Sequence, residues 1–564
     1  MKQKMAKKLA CIAFAGMMLP MAAQAAEADL QLKIDKLAQE VNDLKGSVQR
    51  VQDKSLSKWL SIGGSYRFRI DSLRGETVGY MSAPGTFKNA QDMMQAEFFA
   101  DPTALSSYYP GTTSQAISYL MSFANNMSQA NTVDAARTFI ANNGGLPAIN
   151  GFMNQFADMP AASKPKNETL YTSKLGLDLH AKATQDVTVN VKLGMYKTFG
   201  TQSDASTMNG YFADRVGTFD GTLGHVPSSS LLNVDRAYAT WSNIAEEPIW
   251  FSVGRRPSTD GAPSNLRQNN PRPGNGGTPA LLVDYAFDGM TIGYAPDIEV
   301  LPGFYTKVCY GRGFESGLTT ASNSVKDTDM LGVAIVPVDT DPLRIWMQWN
   351  KGFNIFDFPE MNNTIFGDTA PSTNLGSIDW YGLGAMTTLK AVGPGTLNFF
   401  VDGGMSITHP NTNVSANAMF QGLLTGSPFQ PETPSDKTGY AAFAGVRYDL
   451  PSRTKLGFEF NHGSKNWIPF SPAADDMWTA KVGTRGNVYE GYVIQELDLK
   501  PISSYFSTTF FKVGYQLYNF DYTNSNNWVG APVKIDGLAT YQGMLLQAPV
   551  KRAQDIYATF EVKF

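Results

Sequence analysis

From Trp59 onward, apolar and polar side chains alternate along the chain with a period of two residues. In residues 60–71 the even positions are apolar or glycine, whereas the odd positions are small or charged. This period predicts strands with one apolar and one polar face, and such strands build both soluble sandwiches and transmembrane barrels. Sixteen segments show the pattern, at residues 59–71, 169–183, 187–199, 231–243, 249–257, 280–294, 303–314, 329–339, 343–353, 378–390, 396–408, 438–449, 454–466, 486–499, 506–519 and 553–564.

The length and order of these segments favour the membrane. A strand of about 12 residues, tilted by ~40°, crosses roughly 30 Å of hydrocarbon. The connections alternate between short and long, as they do in bacterial outer-membrane barrels. The last segment ends with Phe560, Val562 and Phe564, which resembles the signal read by the outer-membrane barrel-assembly machinery. We therefore predict an all-β, antiparallel outer-membrane β-barrel of about 16 strands over residues 58–564, surrounded by outer-membrane lipid, with the first and the last strand both beginning or ending on the periplasmic side, so that both termini lie there.

The longest predicted connection covers residues 72–168. Apolar residues recur with helical spacing around 116–126 and 132–140. We expect this connection either to constrict or cap the mouth of the barrel, or to form an external knob.

Strand parity assigns charged side chains to the lumen. The predicted pore-lining residues are Arg67, Arg69, Lys174, Asp178, His180, Lys182, Lys192, Arg236, Arg256, Asp402 and Glu459. By the same parity, a second set of side chains is also expected to point into the lumen: Asp71, Asn190, Lys307, Arg344, Arg447, Asp449, Lys455, Glu490, Lys512, Glu561 and Lys563. The early strands thus form a mainly basic arc and the later strands a mixed one. Oppositely charged faces across a pore tune its ion preference, and we expect Arg67 and Arg69 to modulate the affinity for solutes. The alternative is that these charges have no specific role, because the water-facing wall of any barrel carries scattered charged residues.

The chain begins with the pattern of a secretory signal peptide over residues 1–25. Four lysines in the first eight residues precede the apolar run 9–19, and Ala23-Gln24-Ala25 supplies a small-x-small cleavage site. We expect the mature chain to begin at Ala26.

A heptad pattern follows within the predicted periplasmic segment 26–57. Its apolar positions recur at steps of four and three: Leu30, Ile34, Leu37, Val41, Leu44, Val48 and Val51. The pattern predicts a coiled coil that joins copies of the chain and that could contact the cell wall; the alternative is a solitary amphipathic helix packed on the barrel. β-Branched residues at heptad position a with Leu at position d favour a two-stranded coiled coil, whereas large porins are usually trimers. Whether two or three chains associate stays open.

Composition argues against several classes of function. With 46 Lys and Arg against 50 Asp and Glu, the chain has no basic arm for nucleic acid. Cys11 lies in the signal peptide, so Cys309 alone remains, which excludes disulfides, thiolate zinc sites and haem attachment. The four histidines are dispersed, and no nucleophile elbow or phosphate loop is present. We expect no metal, no cofactor and no enzyme activity.

Several motifs resemble those of one protein family. Residues 457–467 (GFEFNHGSKNW), with 471–476 and 484–486, and the strand motifs 234–241 and 254–257, are similar to those of an uncharacterised porin-like family of Gram-negative outer-membrane proteins. The resemblance implies a signal peptide, coiled coil and barrel in that order. It transfers no catalytic or binding residue.

These patterns together predict a passive porin for small hydrophilic solutes or ions. A sheath that holds multihaem cytochromes across the membrane is an alternative, in which the partner supplies the haem. A structural outer-membrane tether with a plugged barrel is another.

Overall fold

The computed structural model describes residues 41, 45, 59–100, 122–200, 232–257, 261–273, 281–283, 286–318, 325–359, 361–364, 367–471, 476–498 and 508–564. The chain divides into two units, residues 1–61 with 180–183, and residues 62–179 with 184–564. In the first unit Val41 and Lys45 are helical, and the Lys182 amide donates a hydrogen bond to the Trp59 carbonyl at 2.6 Å. The predicted signal peptide and the coiled-coil positions Leu30, Ile34, Leu37, Leu44, Val48 and Val51 lie outside the described residues. The sites discussed below belong to the second unit.

Sixteen antiparallel strands, counted over the described residues, close into one barrel in which sequence neighbours pair and the last strand pairs with the first. They are β1 Leu60–Thr77, β2 Lys166–Lys182, β3 Val187–Thr198, β4 Leu232–Trp241, β5 Ile249–Pro257, β6 Ala286–Tyr294, β7 Tyr305–Phe314, β8 Thr328–Asp339, β9 Leu343–Phe356, β10 Asn374–Val392, β11 Gly395–Pro410, β12 Lys437–Asp449, β13 Thr454–Gly463, β14 Gly486–Glu496, β15 Thr508–Phe520 and β16 Val550–Lys563. The barrel prediction is confirmed, and every predicted segment overlaps one of these strands. Short turns lie at one end of the barrel, the short-turn end, and long connections at the other, the long-loop end.

Two predicted strand boundaries differ from the structure by six residues, which is more than any of the others. The segment predicted to begin at residue 280 begins at Ala286, because Leu281, Leu282 and Val283 are buried in the apolar core. Strand β1 continues to Thr77, so the first connection covers residues 78–165 and not 72–168.

The outward faces of the strands are mainly apolar. Exposed outward side chains include Ile62, Val189, Leu383, Val513 and Ile556, on strands distributed around the barrel. Such an extended apolar surface fits a lipid environment rather than water. Among the described residues, no helix has the length and hydropathy needed to cross a membrane.

The connections contain the helices. They are α1 Ala83–Ala100, α2 Val133–Asn142, α3 Gly145–Gln155 and α4 Ser264–Arg267, with 3₁₀ turns at Ile244–Glu246, Lys481–Gly483 and Ile535–Thr540. Two short pairings complete the structure, Met81–Ser82 with Met544–Leu545 and Met361–Thr364 with Gly367–Thr369. Helix α2 corresponds to the predicted helical spacing at 132–140, and its residues Val133, Ala136, Phe139 and Ile140 are buried.

The first connection packs against a later one at the long-loop end. The Val133 amide donates to the Thr412 carbonyl at 2.8 Å, and the Val414 amide donates to the Asn131 carbonyl at 3.0 Å. The rings of Phe139 and Phe420 meet edge to face, with centroids 5.5 Å apart. This connection is therefore part of a packed cap and is not an isolated knob.

The apolar core fills part of the lumen between the long connections and the inward faces of β8 to β12. The Trp380 indole donates to the Ile468 carbonyl at 2.6 Å, and the Trp467 indole donates to the Val482 carbonyl at 2.8 Å. A Cβ at Gly404 in the wall would lie 2.7 Å from the Trp467 ring. Glycine at this position therefore allows the Trp467 ring to lie against the inner wall.

Candidate functional site

Strands β1 to β5 carry a row of cationic side chains on the lumen side, which we call the basic wall: Arg67, Lys174, Lys192, Arg236 and Arg256. All five are partly exposed. The Arg67 guanidinium lies 5.9 Å and the Lys174 ammonium 5.5 Å from the centroid of the Tyr196 ring. A tyrosine face attracts cations, so this ring holds two of them on one side of the lumen.

The next strands continue the basic wall. Lys192 of β3 is the register partner of Arg236 of β4. Among the described residues, Asp178 lies 3.8 Å from the Lys192 ammonium and Asp235 lies 3.2 Å from the Arg236 Nε. Each of these two cations lies beside one carboxylate, so their charges are largely offset in this part of the wall.

Arg256 ends the row on β5. Its Nε donates to the Ser252 hydroxyl at 2.7 Å, another of its nitrogens donates to the Thr291 hydroxyl, and it lies 5.8 Å from the Trp250 ring centroid. The predicted residues His180 and Lys182 lie on β2 within the first unit and are exposed.

Three predicted pore-lining residues are on inward faces but are covered by protein. Arg69 and Asp402 are each 1% exposed and Glu459 is 2% exposed. Arg69 pairs with Asp71 at 2.6 Å and with Asp555 at 2.9 Å, and Asp402 accepts a bond from the Trp346 indole at 2.8 Å. These side chains line a packed interior, because the long connections enter the lumen on this side. Arg67 and Arg69, expected to act together, therefore have different surroundings.

Glu459 belongs to a buried ionic cluster, formed by Arg267, Glu459, Asp476, Lys481 and Glu490. The Lys481 ammonium bonds both Glu459 and, at 2.5 Å, Glu490. Arg267 bonds Asp476 and, at 3.0 Å, Glu490. Burial alone would lower the pKa of Arg267, but the charges of Asp476 and Glu490 outweigh it and raise that pKa well above its ordinary value. Two connections are thus joined to β13 and β14 by charge. Within the described part of the chain, no three His, Cys, Asp or Glu side chains are grouped so as to hold a metal ion.

The segment around Arg267, residues 261–273, is named here the inner segment. Four wall cations donate to its carbonyl and amide oxygens. The Arg447 guanidinium reaches the Leu266 carbonyl at 2.6 Å and the Lys512 ammonium reaches the Arg267 carbonyl at 3.4 Å. The other two contacts, each of 2.6 Å, are Lys563 to the Gln268 carbonyl and Lys455 to the Asn269 side chain.

The far end of the inner segment reaches a turn of the barrel. Arg272 pairs with Asp341 at 2.7 Å, and Asp341 lies in the short turn between β8 and β9. The pairing with Arg272 lowers the pKa of Asp341. The inner segment therefore occupies the lumen at the short-turn end.

Parity could not identify the residues that fill the lumen from the connections. Arg267, Asp476, Lys481 and Arg485 were all missed. Asp476 and Arg485 fall within the motifs 471–476 and 484–486 that carried the family resemblance, so those motifs held a signal for lumen packing.

Arg485 shows what that signal means. Its guanidinium donates to the carbonyls of Trp467, Asn524 and Asn527 at 2.9, 2.6 and 2.9 Å. Burial lowers the pKa of Arg485. One side chain thereby joins two long connections through their backbones.

A family model described as "protein of unknown function (DUF3373)" matches residues 164–564. No curated protein matches the chain. Solved structures similar to the chain include the in-vitro folded trimer form of OmpT, an outer membrane protein of Vibrio cholerae, with 9% identity, a TM-score of 0.34 and coverage of 90% of this chain and 100% of that one. Salmonella typhi OmpF in complex with daunomycin has 8% identity, a TM-score of 0.36 and coverage of 89% and 97%. Pseudomonas putida OprB at high pH has 9% identity, a TM-score of 0.39 and coverage of 93% and 97%. At these TM-scores, the solved structures say nothing about the function of this chain.

Proposed function

The chain belongs to the DUF3373 family of proteins of unknown function, and from the lumen we propose that it is a passive, non-catalytic outer-membrane channel. It passes small hydrophilic solutes or ions along the basic wall, with no energy coupling. The observation that carries this proposal is the row of partly exposed cations on the inward faces of five consecutive strands.

The membrane location is supported by the barrel wall. A closed barrel pairs its wall backbone amides within the sheet, which lipid requires because an unpaired amide costs several kcal/mol there. The apolar outward faces complete the match to a bilayer. The alternating aromatic and apolar residues Phe560, Val562 and Phe564 of the last strand segment support recognition by the barrel-assembly machinery.

The basic wall gives the channel a preference for anions. Arg67, Lys174, Lys192, Arg236 and Arg256 face the lumen, while the packed connections on the opposite side narrow the space in front of them. A narrow passage lined with one sign of charge raises the local concentration of the opposite ion. We expect a modest anion preference because Asp178 and Asp235 offset part of the field.

The test is planar-bilayer conductance of the purified, refolded protein, with ion selectivity from the reversal potential. Stable steps with anion preference are expected, and Lys174→Gln with Lys192→Gln should shift the reversal potential toward cations. Lys351→Gln is the matched control, since Lys351 lies on the outward face of β9, paired with Asp379 at 2.8 Å. A correctly inserted protein that stays silent would overturn the channel.

Oligomer formation is a further part of the proposal. The heptad positions Leu30 to Val51 favour a homo-oligomer, and we expect a trimer held together by a coiled coil. This coiled coil would lie in the periplasm, where it can contact the cell wall. Chemical cross-linking of the full chain and of a chain lacking residues 30–54 tests this, and equal oligomer size in both would contradict it.

A structural outer-membrane tether is the second candidate, and the extensive packing of the lumen favours it. The cytochrome sheath gains no such support, because connections of the chain itself occupy space that a partner would need. A silent barrel that co-purifies with a haem protein would nevertheless restore the sheath.

A further inference from the structure

We propose that the inner segment, residues 261–273, is a gate that leaves the short-turn end of the lumen while the apolar packing above it stays in place. The proposal rests on the channel function proposed above, since a gate has a role only in a conduit.

The inner segment is held mainly by polar contacts. Arg447, Lys455, Lys512 and Lys563 donate to it from four strands, and Arg267 reaches out from it to two carboxylates. Its apolar share of the core is Ala262 and Leu266. The segment is therefore attached to the wall by charge at many points and by apolar area at few.

The layer toward the long-loop end is held differently. Leu281, Leu282, Trp467, Ile468 and Phe470 are buried in the main apolar core, and the Phe470 amide bonds the Leu282 carbonyl at 2.7 Å. Moving these residues would expose large apolar surfaces to water, which is strongly unfavourable.

This contrast separates the two layers energetically. When water enters the short-turn end, each broken polar contact is exchanged for one with water, and the charges regain hydration. No comparable exchange exists for the apolar layer. The inner segment is thus the part of the lumen filling that is released first.

Ionic strength is the variable to which such a gate responds. The outermost contact, Arg272 with Asp341, joins side chains that are 64% and 62% exposed, so dissolved salt screens it directly. The segment is closed at low ionic strength and opens as the salt concentration rises.

The test is cysteine labelling of the mature chain from Ala26 onward, which lacks Cys11, inserted in lipid vesicles in a Cys309→Ser background, with a membrane-impermeant thiol reagent. Thr559→Cys is the reporter, because Thr559 is buried and is the register partner of Lys512, which contacts the inner segment. Ser406→Cys is the reporter of the apolar layer, because Ser406 is buried and its hydroxyl accepts a bond from the Ile468 amide at 3.4 Å.

Arg267→Gln should raise the labelling rate of Thr559→Cys by at least about tenfold, and raising salt from ~50 to ~500 mM should raise it in the otherwise unchanged chain. Ser406→Cys should stay protected in both cases. Arg453→Gln is the matched control, because Arg453 lies in another turn of the short-turn end and pairs with Asp498. Arg272→Gln, which removes an exposed pair and is compatible with folding, should give a smaller increase in the same direction.

Continued protection of Thr559→Cys in both arginine variants would overturn the gate, as would simultaneous labelling of Ser406→Cys, which would show general loosening. The labelling does not depend on conduction. A silent channel with the expected labelling would therefore remove the proposed transport and leave the movement of the segment established.

Discussion

Removing the Lys481 ammonium should destabilise the folded barrel through the carboxylates that it leaves behind. The side chains of Lys481, Glu459 and Glu490 are 4%, 2% and 0% exposed. Glu490 would retain Arg267 at 3.0 Å, whereas Glu459 would retain a hydrogen bond from the Tyr492 hydroxyl at 3.3 Å. Breaking a buried pair by removing one partner costs about 3–5 kcal/mol. We therefore expect Lys481→Met to lower the free energy of unfolding by this amount, with most of the loss at Glu459.

The assay is equilibrium unfolding in guanidinium of the detergent- or vesicle-bound protein, followed by tryptophan fluorescence. Adding Glu459→Gln to Lys481→Met should recover roughly 1–3 kcal/mol, since a neutral amide has a far smaller desolvation cost than a carboxylate. Arg453→Met, which breaks the exposed pair with Asp498 at the short-turn end, should cost about 0–1 kcal/mol. A loss below ~1 kcal/mol for Lys481→Met, or no recovery in the double variant, would refute the reasoning.

Three further outcomes are expected. Val513→Lys, on the outward face of β15, should lower the free energy of unfolding in vesicles by about 2–4 kcal/mol if Val513 lies near the bilayer midplane, and a loss within ~0.5 kcal/mol would contradict a lipid-facing wall. Arg485→Met should leave the carbonyls of Trp467 and its other acceptors without their donor, so hydrogen exchange over residues 521–529 should accelerate while that of the barrel strands stays unchanged. The lowered pKa of Asp341 means that its pairing with Arg272 contributes above the ordinary aspartate pKa of ~3.9 and is lost as the pH falls through the lowered value. The difference in the free energy of unfolding between the unchanged chain and the Asp341→Asn chain should accordingly be present at neutral pH and vanish in strong acid.

The barrel could be predicted from the sequence because lipid and lumen impose opposite demands on alternate residues. Each strand had to alternate, so a period of two located all sixteen. The pattern failed where apolar residues serve another purpose: Leu281 and Leu282 continue the apolar run before Ala286 but are buried in the lumen. A run of apolar residues does not distinguish a strand entering lipid from a loop entering the core.

The site could be predicted only in part. Parity indicates the side of the wall to which a residue points, and it does not show what lies in front of it. Arg67 and Arg69 have the same parity, yet Arg69 is covered by protein and Arg67 is partly exposed. The covering residues come from long connections, whose sequences have no period that fixes their positions. Their partners, such as Asp476 for Arg267, are 209 positions away and follow from tertiary packing alone.

The pairing of Arg69 with Asp555 has a consequence for the order in which the molecule is built. These residues are 486 positions apart, and they lie on the first and last strands, where the cylinder is sealed. Joining such distant points is slow, because contacts of large sequence separation form late. The connections that fill the lumen lie between these two strands in the sequence. They are therefore synthesised before the last strand can pair with the first. We expect the pairing of the first and last strands to be the final step of folding. The connections would then pack against an open sheet, and they would not have to enter a barrel that is already closed.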